Sequence, residues 1–462
     1  MSSVTISFLG AADSVTGSRF LIATPQSKVL VDCGLFQGLK KDRLRNWQPF
    51  PVNPSTIDAV ILTHSHLDHC GSLPLITRHG FEGKIYSTHY SRQLASVILN
   101  DSAHLQMEDA KYAAKKGYSK HNPPLALYNT DDVERTLKLF STVAFHTRTQ
   151  ITDDVAVTFY PSGHILGAAF VVVEAGEKRF LFTGDLGRNN HPLLTNPESP
   201  QGLKCDVVVT ESTYGDRIHD ASPDDFAREI NAAVNRGGTI VIPAFAVDRT
   251  EVILMALHDL VHQKKIPLIP IYVDSPMAIS ALNFYREAIA TNTPEIRDGV
   301  SQQWANQDPF DSGALNQAIT SDDSKKVSAL TETCIIISAS GMATGGRVVH
   351  HLEQMLPDPR NTVILVGYQA VGSRGRLLEE GVQELKMHGR LIPVNAHIAK
   401  VESFSVHADG DELLAWLRQT EKPTVVYVVH GEQGAQEAMA DRLQRELNWN
   451  AVIPTTNRVY VV

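Results

Sequence analysis

The sequence is poor in several things that would set it apart from ordinary water-facing proteins. No run approaches the roughly 18 apolar residues that a bilayer span needs, so no membrane partner is expected. Only four cysteines occur, Cys33, Cys70, Cys205 and Cys334, and they are scattered without paired spacing. Neither a disulfide framework nor a thiolate zinc site follows, and buried free thiols are expected. Residues 4–10 alternate like a strand and lack the basic stretch and long apolar core of a secretory signal, which points to the cytoplasm. Positive charge is also short. A net charge of −9 excludes a surface coated for general nucleic-acid binding. Any phosphate-binding surface must then be built from a few placed residues and metal ions.

What is present is an α/β pattern. The 462 residues suit two domains, and 43% apolar with 20% charged residues is a globular composition. Short β-branched runs at 57–63, 179–183 and 206–210 predict buried strands. Each ends at or next to a polar residue with metal or acid chemistry: His64, Asp185 and Glu211. A sheet that fixes such residues while a loop exposes them is a common way to build a site. Helices are predicted over 91–116 and 222–233. A second α/β unit begins near 214, with strands at 238–242, 271–273 and 334–337, and its polar stretch 291–326 predicts a loop or insertion. Towards the end, Asp409 and Glu412 have the spacing of a capping box, and a strand at 424–429 runs into His430.

The decisive segment is His64-Ser65-His66-Leu67-Asp68-His69. Imidazole and carboxylate are the ligands that catalytic zinc accepts. On an extended loop, His64 and His66 point to one side and can share an ion, while Asp68 and His69 at the turn face a second. Two metals roughly 3.5–4 Å apart can hold a bridging hydroxide as nucleophile and stabilise a leaving oxygen. Further ligands stand near strand ends: His164 in Pro-Ser-Gly-His-Ile-Leu-Gly, Asp185 in Thr-Gly-Asp-Leu-Gly and His430 in Val-His-Gly-Glu. The isolated histidines, His350 and His388 among them, are assigned to surface or core.

In order, Asp32, the His-x-His-x-Asp-His segment, His164 and Asp185 resemble the metallo-β-lactamase superfamily. The resemblance implies an αββα sandwich and two Zn²⁺ per chain. His64, His66 and His164 would bind one ion, Asp68, His69 and His430 the other, and Asp185 would bridge them with Asp32 in support. His66 stands where a glutamate marks the redox di-iron variant, so hydrolysis is favoured. Glu211 in Thr-Glu-Ser-Thr-Tyr-Gly, His407 in Ser-Phe-Ser-Val-His-Ala-Asp, and His430 further resemble the three motifs of the β-CASP nucleases. The similarity covers essentially the whole chain, including the inserted segments Pro-Ala-Phe-Ala-Val-Asp-Arg (243–249), Asp-Ser-Pro-Met (274–277) and Ser-Ala-Ser-Gly-Met-Ala-Thr-Gly-Gly-Arg (338–347). A histidine at the third motif implies RNA rather than DNA as substrate. The nearest group is the bacterial RNA-processing nucleases related to the cleavage subunit of the pre-mRNA 3′-end processing complex. No KH domain and no extra C-terminal domain of the RNase J kind is expected. The resemblance divides the chain into 1–213 and 394–462 of the sandwich around a β-CASP domain at 214–393.

Phosphodiester hydrolysis needs a nucleophile, charge neutralisation and a proton for the departing oxygen. His407, oriented by Glu211, is the candidate donor, since a carboxylate beside an imidazole favours its protonated form. Asp32 and Asp68 complete the catalytic set. Ser338, Ser340 and Gly341 lie where a strand enters a glycine-rich turn before a helix, the form of a phosphate cradle or of an ordinary tight turn. Arg374 suits a nucleic-acid backbone or plain solvation. His397 has no place in any motif. Rival functions are a small-molecule hydrolase of the glyoxalase type, which should lack the inserted unit, and a non-catalytic RNA-binding β-CASP subunit, which should lack ligands. Internal cleavage is the expectation, and a homodimer is left open.

Overall fold

A computed structural model of the chain describes residues 3–116, 124–219, 222 and 224–462. The chain forms two compact units, one of residues 1–37, 41–218 and 407–462, the other of 38–40 and 219–406.

The first unit holds two seven-stranded sheets. One runs Val459–Val461, Thr5–Gly10, Arg19–Ala23, Lys28–Val31, Ala59–Ile61, Lys84–Ser87 and Phe140–Thr142 across its width; the other runs Ala451–Val452, Val425–Val428, Val207–Thr210, Lys178–Phe182, Ala169–Ala175, Val155–Pro161 and Thr149–Gln150. Several strands are continuous apolar runs because both of their faces are covered. In Ala169–Ala175, Val171 and Val173 join a core between the sheets with Phe8, Phe20 and Ile61. The alternate residues Phe170 and Val172 pack outward on Leu413, Leu417, Met439 and Leu443 of helices Gly410–Leu417 and Gln433–Leu447. Helices Leu73–Arg78, His89–Lys116 and Thr130–Leu137 pack together beside the first sheet. The result is the αββα sandwich. Asp409 caps helix Gly410–Leu417 through the box with Glu412.

The second unit carries a six-stranded parallel sheet in the order Leu315–Gln317, Ile271–Val273, Ile335–Ser338, Ile240–Pro243, Thr362–Leu365, His397–Lys400. Beside it stands a hairpin, Glu384–Met387 with Arg390–Pro393. One expectation changes here. The stretch 291–326 is not a plain loop: it contains the edge strand Leu315–Gln317 and the start of helix Ser321–Ser328, capped by Thr320 and Asp323. An edge strand can stay polar because one side and one flank face water. The compact second unit runs to Val406, with His397–Lys400 paired to Thr362–Leu365 at the sheet edge.

Candidate metal centre and active site

Every residue expected at the metals lies in the first unit, most of them on loops leaving strand ends, with Asp68 and His69 in the short helix Leu67–Cys70. Asp32 follows Lys28–Val31, buried, with φ at 58°. Its Oδ1 accepts the Thr63 backbone N–H at 2.8 Å, and its Oδ2 accepts both the Thr63 hydroxyl at 2.8 Å and His69 Nδ1–H at 2.8 Å. These bonds set tautomers. With its Nδ1–H donated to Asp32, His69 leaves Nε2 as the atom turned to the site. The Thr63 hydroxyl has spent its proton on Asp32, so it can only accept from His64 Nδ1 at 3.1 Å, and His64 likewise presents Nε2. Thr213 repeats the arrangement: its Oγ1 donates to the His430 carbonyl at 3.3 Å and accepts from His430 Nδ1 at 3.1 Å.

The presented atoms converge in two groups. His64 Nε2 and His164 Nε2 each lie 3.2 Å from His66 Nδ1, and 3.4 and 3.6 Å from Asp185 Oδ2. On the other side, His69 Nε2 lies 3.2 Å from His430 Nε2, which is 3.5 Å from Asp68 Oδ2. Asp185 Oδ1 is 3.4 Å from His69 Nε2 and 3.6 Å from His430 Nδ1, and is buried without a hydrogen bond. Ligands at 2.0–2.1 Å from a tetrahedral zinc stand about 3.3 Å from one another. The observed separations match that spacing, and Asp185 turns one oxygen to each group. The donor set fits two ions.

Charge in the site tells the same story. Burial and the imidazoles of His69, His66, His164 and His430 hold His64 well below the ordinary histidine range. Burial also opposes protonation of His69, yet the charges of Asp185, Asp32 and Asp68 raise it to about 10. His430 is raised in the same way: burial opposes, and Asp185 and Asp68 outweigh it. Burial would keep Asp68 neutral, but the His430 hydrogen bond and nearby imidazoles pull it well below the usual carboxylate range. Without ions, a proton on His69 takes the place of a cation among the buried carboxylates, and the same carboxylates favour the charged form of His430.

His407 stands apart from the ligand groups. Its Nδ1 lies 3.4 Å from Glu211 Oε2 and 3.9 Å from Asp185 Oδ2, its ring packs 4.4 Å from that of His164, and it is the partly exposed member of the pair. At 3.4 Å the His407 contact is an ion pair without the geometry of a formed hydrogen bond. Glu211 is anchored by Leu186 N–H donating to Oε1 at 2.6 Å. Its carboxyl sits below the usual range, burial being overcome chiefly by the charge of His407. Two glycines bring backbone close to the ligands: a Cβ on Gly34 would fall 1.6 Å from the Asp68 carbonyl oxygen, and one on Gly187 would fall 2.0 Å from that of Gly163, next to His164.

The expected phosphate residues lie in the second unit and are brought together around one loop. Ser338 is buried, its hydroxyl donating to the Asp274 carbonyl at 2.9 Å. Ser340 Oγ accepts Thr344 N–H at 3.2 Å. Gly341 packs where a Cβ would meet the Phe245 ring at 2.8 Å. Arg374 opens helix Arg374–Glu379 rather than lying on a loop, and its guanidinium donates to the carbonyls of Ala343, Thr344 and Lys386. His397 is exposed and pairs with Glu229 at 3.1 Å. Thr63 and Thr213 went unread in the sequence because their partners, Asp32 and His430, lie far off along the chain.

Three family models match the chain: the metallo-beta-lactamase superfamily over 15–243, the Beta-Casp domain over 250–378, and the Zn-dependent metallo-hydrolase RNA specificity domain over 391–454. The fold is therefore that of a metallo-hydrolase. The chain is 34% identical over 427 residues to Ribonuclease TTHA0252 of Thermus thermophilus, covering 92% of each. It is 30% identical to an RNase J-like protein of Methanocaldococcus jannaschii, covering 99% of each. To Transcription termination factor FttA of Methanosarcina mazei it is 31% identical, covering 96% of this chain and 69% of that protein. A crystal structure of a protein of unknown function from Enterococcus faecalis shares the fold over the full length of both chains, at a TM-score of 0.53 and 12% identity. The chain belongs to the metallo-β-lactamase superfamily and, within it, to the β-CASP group. Its inserted unit is the part that a glyoxalase-type hydrolase was expected to lack. Among the described residues no helix is long and apolar enough to cross a membrane.

Proposed function

We propose that this protein is a two-zinc ribonuclease of the cytoplasm that cuts RNA phosphodiester bonds internally. The observation that carries the reading is Asp185, whose two oxygens face His64 and His164 on one side and His69 and His430 on the other. When bound, a pair of zinc ions supplies Lewis acidity: a more acidic water to attack, and positive charge opposite the scissile phosphate. The chain does the rest. Asp32 and Thr63 fix the orientation of His69 and His64, Thr213 fixes that of His430, and Asp68 completes the second group. Glu211 holds the His407 ring at the site, 3.4 Å from its Nδ1, from where His407 delivers a proton to the departing ribose oxygen. Ser340 and Gly341 form the loop proposed to meet a substrate phosphate, held in shape by Ser338 and Arg374. Support for RNA as substrate comes from the RNA specificity domain match and from relatives named as ribonucleases.

The test is cleavage of RNA labelled at one end and blocked at either end in turn, by the zinc-loaded chain. Internal fragments from both substrates are expected. Fragments that disappear when one end is blocked would overturn internal cleavage, and no cleavage of either would overturn the nuclease reading. Asp185→Ala should abolish both zinc retention and cleavage, and turnover at the wild-type rate would remove the basis of the assignment.

A further inference from the structure

Outside the metal centre, a further cluster of ligand-type side chains lies in the second unit. His350 and Glu353 sit three residues apart on helix Arg347–Met355, a spacing that stacks them on one helix face. His388 reaches them from the two-residue turn of the hairpin, where Met387 pairs with Arg390. One ligand atom from each of the three lies within 4.8 Å of the others. His388 Nδ1 is 2.8 Å from Glu353 Oε2, and the rings of His350 and His388 lie face to face, 4.6 Å apart and 23° from parallel.

The backbone adds an independent clue. His388 has φ at 46° and Gly389 at 85°, the tight hairpin geometry that favours Asn-Gly. A histidine there gives up backbone comfort, and its ring is set against the helix. A divalent ion would take both rings in their neutral form together with the carboxylate.

We propose that His350, Glu353 and His388 bind a first-row divalent transition ion, of the zinc, nickel or copper class, separate from the catalytic pair. Two imidazoles and one carboxylate suit these metals, with water completing the coordination of an open, surface-facing site. The ion fastens the helix to the hairpin. This proposal does not depend on the nuclease reading, since none of its residues belongs to the catalytic groups.

The test is equilibrium dialysis of the full chain against micromolar free Zn²⁺, with bound metal counted by mass spectrometry. His388→Gly and His350→Ala are compared with wild type. His388→Gly suits the positive φ, so loss of fold does not confound it, and circular dichroism checks both variants. Each variant should bind one ion fewer per chain than wild type, while cleaving RNA at an unchanged rate once the metal centre is loaded. An equal count in wild type and both variants would overturn the site. If the chain cut no RNA at all but the difference in count remained, the nuclease reading would fall and this proposal would stand.

Discussion

Thr63→Val tests whether the hydroxyl that links Asp32 to His64 positions the metal ligands. Valine keeps the β-branch and nearly the volume, and the backbone N–H of residue 63 still reaches Asp32 Oδ1. What is lost is one 2.8 Å hydrogen bond to a fully buried carboxylate and the acceptor for His64 Nδ1. A hydrogen bond to a charged group contributes about 1.5–3 kcal/mol. Converted at about 1.4 kcal/mol per tenfold, that is roughly a 10- to 150-fold loss in affinity. The usual cost of removing a supporting partner of a metal ligand, about 10- to 100-fold, falls in the same range. The assay is zinc affinity by competition with a chromophoric chelator, with Thr63→Ser as the control that restores the hydroxyl. Thr63→Val should weaken zinc by about that factor and Thr63→Ser should recover most of it. Equal affinities for valine and wild type would refute the claim that this hydroxyl fixes His64.

Three further outcomes are expected. His407→Ala should retain its metal and lose roughly 10²–10⁴-fold in rate, with much of the loss recovered on a substrate carrying sulfur as the leaving atom; loss of metal would make His407 a ligand instead. Because His69 is raised to about 10 in the ion-free chain, it carries a proton at neutral pH that zinc must displace, and the upward shift of His430 acts in the same direction. Zinc affinity should therefore rise with pH up to about 10, and calorimetry in buffers of different ionisation heat should show proton release; heats independent of buffer would contradict this. Gly34→Ala places a Cβ 1.6 Å from the Asp68 carbonyl oxygen, so the ligand loop must shift. Lowered thermal stability together with reduced zinc content is expected, and an unchanged zinc content would show that the loop can yield without moving its ligands.

The candidate metal ligands, which the structure brings together in two groups, were legible because four of them share one short segment and the others stand shortly past strand ends. The hydroxyl supports were not, since their meaning comes from tertiary neighbours: Thr63 matters only because Asp32 lies against it. The stretch 291–326 misled through composition. Asn316 and Gln317 are polar because Leu315–Gln317 is an edge strand, although Thr320 and Asp323 did carry a readable capping box. His397 fell outside every motif because it opens a strand whose role is to extend the second sheet. His350 and His388 were passed over as isolated for a similar reason, since only the packing of a hairpin against a helix makes them neighbours.

Charge ties these pieces to the substrate. The chain is negative overall, and its metal centre buries Asp32, Asp185 and Glu211 with Asp68 beside them. Carboxylates removed from water cost several kcal/mol each unless cations are near. In the ion-free chain, the proton on His69 offsets part of that cost. Two divalent ions would offset the remainder, bringing four positive charges to four carboxylates. The same exchange decides how a polyanion is met. An acidic protein has little bulk attraction for RNA, so attraction at the cleavage point must come from the ions themselves. Metal loading and the capacity to hold a phosphate in the site are thus one property of this centre, set by the same histidines and by the threonines that aim them.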